Sequence, residues 1–127
     1  MNITCGTDII EVERIKKAVE RLGEKFLNEV YTKNEIEYCE SKNIKRFEHY
    51  AARFAAKEAI FKAISPILNN KYDLTWLDME ILNNEQGRPY ITLNKQKIDM
   101  RVEIDISLSH IKDYAIANCI AKICDKM

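Results

Sequence analysis

The chain has 127 residues, 46% hydrophobic and 31% charged, which suits one globular core and is too short for two. Lys+Arg and Asp+Glu each number 20, so no net field draws the chain to nucleic acid or a membrane surface, and charge can act only locally. No segment approaches ~18 consecutive apolar residues, the N-terminus carries no signal-like run, and the four cysteines make no CxxC pair; together these predict a single cytoplasmic domain over 1–127 with free thiols.

In chain order, residues 2–9 (NITCGTDI) read as a strand in which Gly6 permits close backbone approach. Val12, Ile15, Val19 and Leu22 then recur at helical spacing, and Gly23 supplies a stop. Thr32 with Glu35 forms a capping box for a helix through about Ser41. A long helix is predicted from about Ile44 to Ile64, ended by Pro66. From there the period changes. Residues 75–82 and 88–93 bracket Gly87 and read as a hairpin, and residues 95–99 as one helical turn. Residues 101–109 (RVEIDISLS) alternate, with Val102, Ile104, Ile106 and Leu108 on the inner side. A turn at 110–113 leads into the apolar strand 114–123. Helices first and antiparallel strands after predict an α+β fold with the long helix packed on the sheet.

Four polar features stand out. At about 100° per residue, Phe54, Glu58 and Phe61 share one narrow arc with Phe47 and Ala51. A carboxylate there needs a cation or a raised pKa, and Lys62, one turn on, is the ordinary i,i+4 partner. Asp8, read as closing the first strand, suits the N-cap of the following helix, with Glu11 completing a variant capping box, and also a metal ligand at a strand end, and the two readings are not exclusive. His110 closes the strand ISLSH, where a turn role and a catalytic role are both open. Finally, Lys42, Lys45, Arg46, Arg53, Lys57 and Lys62 run along the long helix and its entry, while Arg14, Lys17 and Arg21 stripe the first helix. Both sets read as solvated faces, or, for Arg53 and Lys57 beside Ile60 and Ile64, as a subunit contact or phosphate groove.

Taken in series, GTDIIEVERI (6–15), RFAAKEAIFKA (53–63) and ISLSHIKDYA (106–115), with NEQGRPYI (84–91) between the last two, resemble the holo-acyl-carrier-protein synthases, small trimeric 4′-phosphopantetheinyl transferases. The resemblance covers essentially the whole chain and implies that family's fold. It implies Mg²⁺-dependent transfer of 4′-phosphopantetheine from coenzyme A to a serine of apo-acyl carrier protein, releasing adenosine 3′,5′-bisphosphate. It further implies Asp8 and Glu58 as metal ligands and Glu58, Lys62 and His110 as catalytic residues. Coenzyme A contacts would fall to Arg53, Lys45, Arg46 and the turn Gly87-Arg88-Pro89, carrier-protein contacts to Arg14 and Arg21. A homotrimer with active sites between subunits is implied as well. Residues 64–70 (ISPILNN) depart from the family's glycine-rich loop, which leaves fewer free backbone N–H groups there. An inactive coenzyme A or carrier-protein binding module of the same fold is the alternative, as is another metal-dependent phosphotransfer or hydrolysis on the same carboxylates.

Overall fold

A computed structural model describes residues 2–70, 73–94, 97 and 101–124. Strand β1 (Asn2–Glu11) is followed by helices α1 (Val12–Leu22), α2 (Glu24–Val30), α3 (Lys33–Glu40) and α4 (Arg46–Ile64). Strands β2 (Met79–Asn83), β3 (Pro89–Leu93), β4 (Arg101–His110) and β5 (Tyr114–Cys124) complete the chain. The expected α+β order is the observed one. Two sheets form: a three-stranded antiparallel sheet in the order β1-β5-β4, and the hairpin β2-β3. The helical turn expected at 95–99 lies outside the described residues, apart from Lys97.

The central strand β5 pairs along its whole length with β1, from Asn2↔Ile123 to Glu11↔Tyr114, and with β4, from Arg101↔Cys124 to His110↔Ala115. Alternation then sorts the side chains. Thr4, Gly6, Asp8 and Ile10 of β1 and Ala115, Ala117, Cys119 and Ala121 of β5 face α4, and all but Thr4 and Asp8 are buried. Their small size lets α4 lie against the sheet through Ala55, Ala56, Ala59 and Ala63, each fully buried. The contact is closest at Gly6, where a Cβ would overlap the carbonyl oxygen of Ala59. Thr4 Oγ1 donates to the carbonyl of Ala63 at 2.6 Å, fixing the height of β1 along the helix.

Several boundaries differ from the sequence reading, each for a local reason. β1 does not stop near Asp8. Its ladder with β5 continues to Glu11, which precedes α1 and makes no side-chain cap, while the Val12 N–H donates to the Asp113 carbonyl at 2.9 Å. Asp8 is therefore a strand residue and not a helix cap. Gly23, at φ 59°, ends α1 as expected, but α2 starts on its far side; this helix was not anticipated, and it seats Val30 in the core. The capping box Thr32–Glu35 is present in both directions. α4 begins two residues later than expected, after a 3-10 turn over Asn43–Lys45, and ends before a second such turn that contains Pro66. The first half of the expected hairpin strand is a 3-10 turn, Trp76–Asp78, held by reciprocal hydrogen bonds between Thr75 and Asp78.

The flank of α4 that carries Arg53 and Lys57 is neither a solvated stripe nor an open groove. The hairpin and the α2–α3 segment cover it, and both side chains are buried. Lys57 Nζ donates to Glu35 Oε1 at 2.7 Å and to the carbonyls of Val30 and Trp76 at 2.6 and 3.0 Å. Glu35 is fully buried too, and its Oε2 accepts from the Ile81 N–H at 2.9 Å. One ion pair thus ties α2, α3, α4 and β2 together. Burial pulls the Lys57 pKa down, and the charge of Glu35 works against that pull. Arg53 clamps the hairpin next to it, donating from Nε to the Ile81 carbonyl at 3.1 Å and from Nη2 to Asn83 Oδ1 at 2.6 Å.

Two stability measurements test this framework. Gly6→Ala forces β1 and α4 apart, and urea unfolding should show a loss of at least ~2 kcal/mol; a loss under ~0.5 kcal/mol contradicts the close approach. Lys57→Met strands the Glu35 carboxylate in the interior and is expected to cost about 3–5 kcal/mol. Unfolding at the wild-type urea midpoint would show that the pair does not tie the elements together.

Candidate active site

The framework brings Asp8, Glu58 and Lys62 to one place. Asp8 faces α4 because it shares strand parity with Gly6, two residues earlier. Glu58 and Lys62 stand one turn apart on α4, just beyond the Gly6–Ala59 contact. Asp8 and Glu58 line a cleft of about 400 Å³ whose other walls are Ile9, Ile10, Arg14, Ile15, Ala18, Phe26 and Phe54. The core side of α4 is built of alanine and isoleucine, whereas Phe54, Glu58 and Phe61 are only half-buried. The phenylalanine arc is thus the wall of a cleft, not the centre of the core. Phe54 is held in that wall by stacking on Trp76, with ring centroids 4.9 Å apart.

The charges are not arranged as a simple i,i+4 pair. Lys62 Nζ reaches across to β1, donating to the Thr7 carbonyl at 3.0 Å and to Asp8 Oδ1 at 3.2 Å. Among the described residues, no donor hydrogen-bonds the Glu58 carboxylate. Burial raises its pKa, the neighbouring Asp8 carboxylate raises it further, and Lys62 offsets part of this. Both carboxylates face one cleft that Arg14 also lines, and of the two only Asp8 is ion-paired, with Lys62. That donor set suits a hard divalent cation. Mg²⁺ is commonly held by one or two carboxylates and completes its shell with water and phosphate oxygens. Among the described residues no three His, Cys, Asp or Glu side chains converge, so a cation here would depend on such outside ligands.

A second cavity, of about 240 Å³, opens where α3, α4, the hairpin and the end of β4 meet. Arg53, Gly87 and Pro89, expected together as coenzyme A contacts, line it; so does His110, which was expected beside Glu58 and Lys62 but does not line the carboxylate cleft, and so do Tyr38, His49 and Asn83, which the sequence did not single out. Arg53 is 2% exposed, its guanidinium lies 4.2 Å from the Tyr38 ring centroid, and two of its donors are spent on the hairpin. Gly87, at φ 81°, makes the turn, and Asn83 Nδ2 donates to its carbonyl at 2.8 Å. Arg88 turns outward instead, donating from Nη2 to both oxygens of Asp105 at 2.9 and 3.0 Å.

The remaining basic residues lie elsewhere. Arg46 pairs with Glu40 at 3.0 Å and its guanidinium sits 4.5 Å from the Phe47 ring centroid; Lys45 is exposed in the turn before α4. Neither lines the two cavities. Arg14 and Arg21 are exposed on α1, where with Lys17 and Glu20 they border a shallow groove. Arg14 also lines the carboxylate cleft, so the basic stripe and the cleft are continuous.

Comparison with known proteins identifies the family and the fold. Residues 4–119 match the model of the 4′-phosphopantetheinyl transferase superfamily. The chain is 43% identical to the holo-[acyl-carrier-protein] synthase of Ruminiclostridium cellulolyticum, over 98% of this chain and 96% of that protein. It is 40% identical to that of Protochlamydia amoebophila, over 92% and 95% respectively. Among solved structures, a Chronobacterium ammoniagenes ACPS–CoA complex superposes with a TM-score of 0.81 at 27% identity, covering 98% of this chain and 99% of that one. The Bacillus anthracis holo-(acyl-carrier-protein) synthase in complex with CoA (3′,5′-ADP) gives 0.76 at 31% identity, covering 93% and 94%. By sequence and by fold alike, the chain belongs to the 4′-phosphopantetheinyl transferase superfamily.

Proposed function

We propose that this protein transfers 4′-phosphopantetheine from coenzyme A to a serine of apo-acyl carrier protein in a Mg²⁺-dependent reaction that releases adenosine 3′,5′-bisphosphate. The observation that carries this reading is Glu58: a half-buried carboxylate that no donor bonds among the described residues, set beside Asp8 in an open cleft. A partly buried carboxylate with no hydrogen-bond donor costs stability, so its place in the cleft calls for another use.

In the proposed step the serine hydroxyl attacks the β-phosphorus of coenzyme A, and the bond to the bridging oxygen breaks. Asp8 and Glu58 would hold Mg²⁺, which when bound supplies charge neutralisation for the pyrophosphate oxygens. Glu58, or a water that it orients, is the proton acceptor for the serine. The Lys62 ammonium, fixed on β1 yet half exposed, balances charge on the leaving phosphate. His110, Arg53 and the turn Gly87–Pro89 bind the nucleotide end. Arg88 acts through its pair with Asp105, holding that turn in place. Lys45 and Arg46, at the mouth of α4, add positive charge toward coenzyme A phosphates. Arg14 and Arg21 steer the acidic carrier protein to the cleft.

The homotrimer belongs to the same proposal. The sheet face turned away from α4 presents Ile3, Ile9, Tyr114 and Ile120, which are 71%, 62%, 47% and 58% exposed. An apolar face of this kind is suited to burial against copies of the chain. The transferase domain spans residues 1–127. Among the described residues, no helix is long and apolar enough to cross a membrane, and all four cysteines are free thiols, which suits a reducing cytoplasm.

Intact-mass analysis tests the activity. Incubation with coenzyme A, Mg²⁺ and an apo carrier protein should add one phosphopantetheine to the carrier, and EDTA should abolish the gain. No added mass sinks the transferase reading; release of adenosine bisphosphate without carrier protein favours a hydrolase. Glu58→Gln is expected to lower kcat at least ~100-fold with an unchanged melting temperature, and normal turnover would remove Glu58 from the chemistry. Ile9→Asp together with Ile120→Asp should convert a sedimenting trimer to monomer, and a wild type that sediments as monomer overturns the shared-site picture.

A further inference from the structure

The Glu48 carboxylate lies outside every role assigned above, yet it touches a residue of the second cavity. It projects from the first turn of α4, and its Oε1 is 2.9 Å from His110 Nδ1, across 62 residues of chain. Both side chains are largely shielded, at 17% and 27% exposure. An ionised carboxylate only accepts hydrogen bonds, so the proton of this contact must sit on Nδ1. Among the described residues nothing bonds Nε2, and no side-chain nitrogen is left both buried and unbonded, so Nε2 is not sealed from solvent. His110 lines the cavity and Glu48 does not.

The ring has a second support. His49 stands edge to face against His110, with centroids 4.7 Å apart at 63°, and Tyr38 packs in the same manner on His49 at 5.7 Å. Burial, followed by the neighbouring His110, pulls the His49 pKa down to about 4. His49 is thus a neutral wall at physiological pH. The groups facing His110 are Glu48 and His49 from α4, with Arg53, Tyr38, Asn83, Gly87 and Pro89 sharing its cavity.

We propose that Glu48 is a positioning residue: it keeps the His110 proton on Nδ1, against the packed His49 ring, and so presents Nε2 as the nitrogen that meets the substrate. The ring-proton part stands alone, and only its kinetic consequence rests on the transferase reading. A carboxylate that orients a histidine through its distal nitrogen is a general device for fixing a tautomer.

The test is ring ¹⁵N NMR on the full chain, whose two histidines are distinguished by a His49→Gln variant. At alkaline pH, His110 should be in the Nδ1–H form in the wild type and in Glu48→Gln, whose amide oxygen still accepts. In Glu48→Ala it should revert to the Nε2–H form. An Nε2–H wild type, or an Nδ1–H ring that survives in Glu48→Ala, overturns the proposal; if Glu48→Ala does not fold, the wild-type tautomer decides alone. In the transfer assay, Glu48→Ala should raise KM for coenzyme A about tenfold. The double variant with His110→Ala should be no worse than His110→Ala alone, and additive losses contradict positioning. A wild type with no transferase activity but an Nδ1–H His110 defeats the functional reading and leaves the positioning intact.

Discussion

Everything at the site depends on how closely β1 can approach α4. At Gly6 the strand backbone touches the Ala59 carbonyl with no room for a Cβ, and the alanines at 55, 56, 59 and 63 keep the rest of that interface thin. Strand parity then points Asp8 toward the helix two residues beyond the contact. On the helix, Glu58 directly precedes Ala59 and Lys62 follows three residues later. A side chain at position 6 would meet the backbone of Ala59 and Ala63 and so push apart the strand and helix that carry the two carboxylates. The conformational freedom that glycine offers elsewhere is not the point here; the absence of a Cβ is.

The opposite flank of α4 is held by a different means. Lys57 and Glu35 form a fully buried pair whose spare donors and acceptors are met by the carbonyls of Val30 and Trp76 and by the Ile81 N–H. Desolvating two charges is costly, and an apolar pair of similar volume can be as stable. What the ionic pair adds is direction, because it joins four segments in one arrangement. Arg53 extends the same fastening to the hairpin, and so carries the Gly87–Pro89 turn to His110. Packing and polar fastening therefore divide the labour: small residues set the carboxylate cleft, and buried cations set the second cavity.

Much of this was legible in the sequence, and the exceptions share a cause. Period-2 alternation located the inward side chains of β4, and the Thr32–Glu35 box and Gly23 marked real boundaries. The carboxylate at position 58 was conspicuous among phenylalanines, although the arc it occupies proved to be a cleft wall. Of the two readings of Asp8, the helix cap failed because the length of β1 is decided by its partner β5, which lies more than a hundred residues away. The buried fates of Arg53 and Lys57 were hidden for the same reason: an amphipathic helix reveals one apolar face, not what later covers its basic flank. Glu48 and His49 carried no signal at all, since their meaning comes from the arrival of His110 at the end of β4.

Asp8 and Glu58, brought together by the Gly6 contact, are proposed to form a divalent cation site that is completed by the substrate pyrophosphate. Paramagnetic broadening by Mn²⁺, as a stand-in for Mg²⁺, measures this directly when titrated with and without coenzyme A. Saturable binding of one ion per chain is expected, tightened by coenzyme A and lost in both Asp8→Asn and Glu58→Gln variants that retain the wild-type melting temperature. Equal binding by wild type and both variants would contradict it.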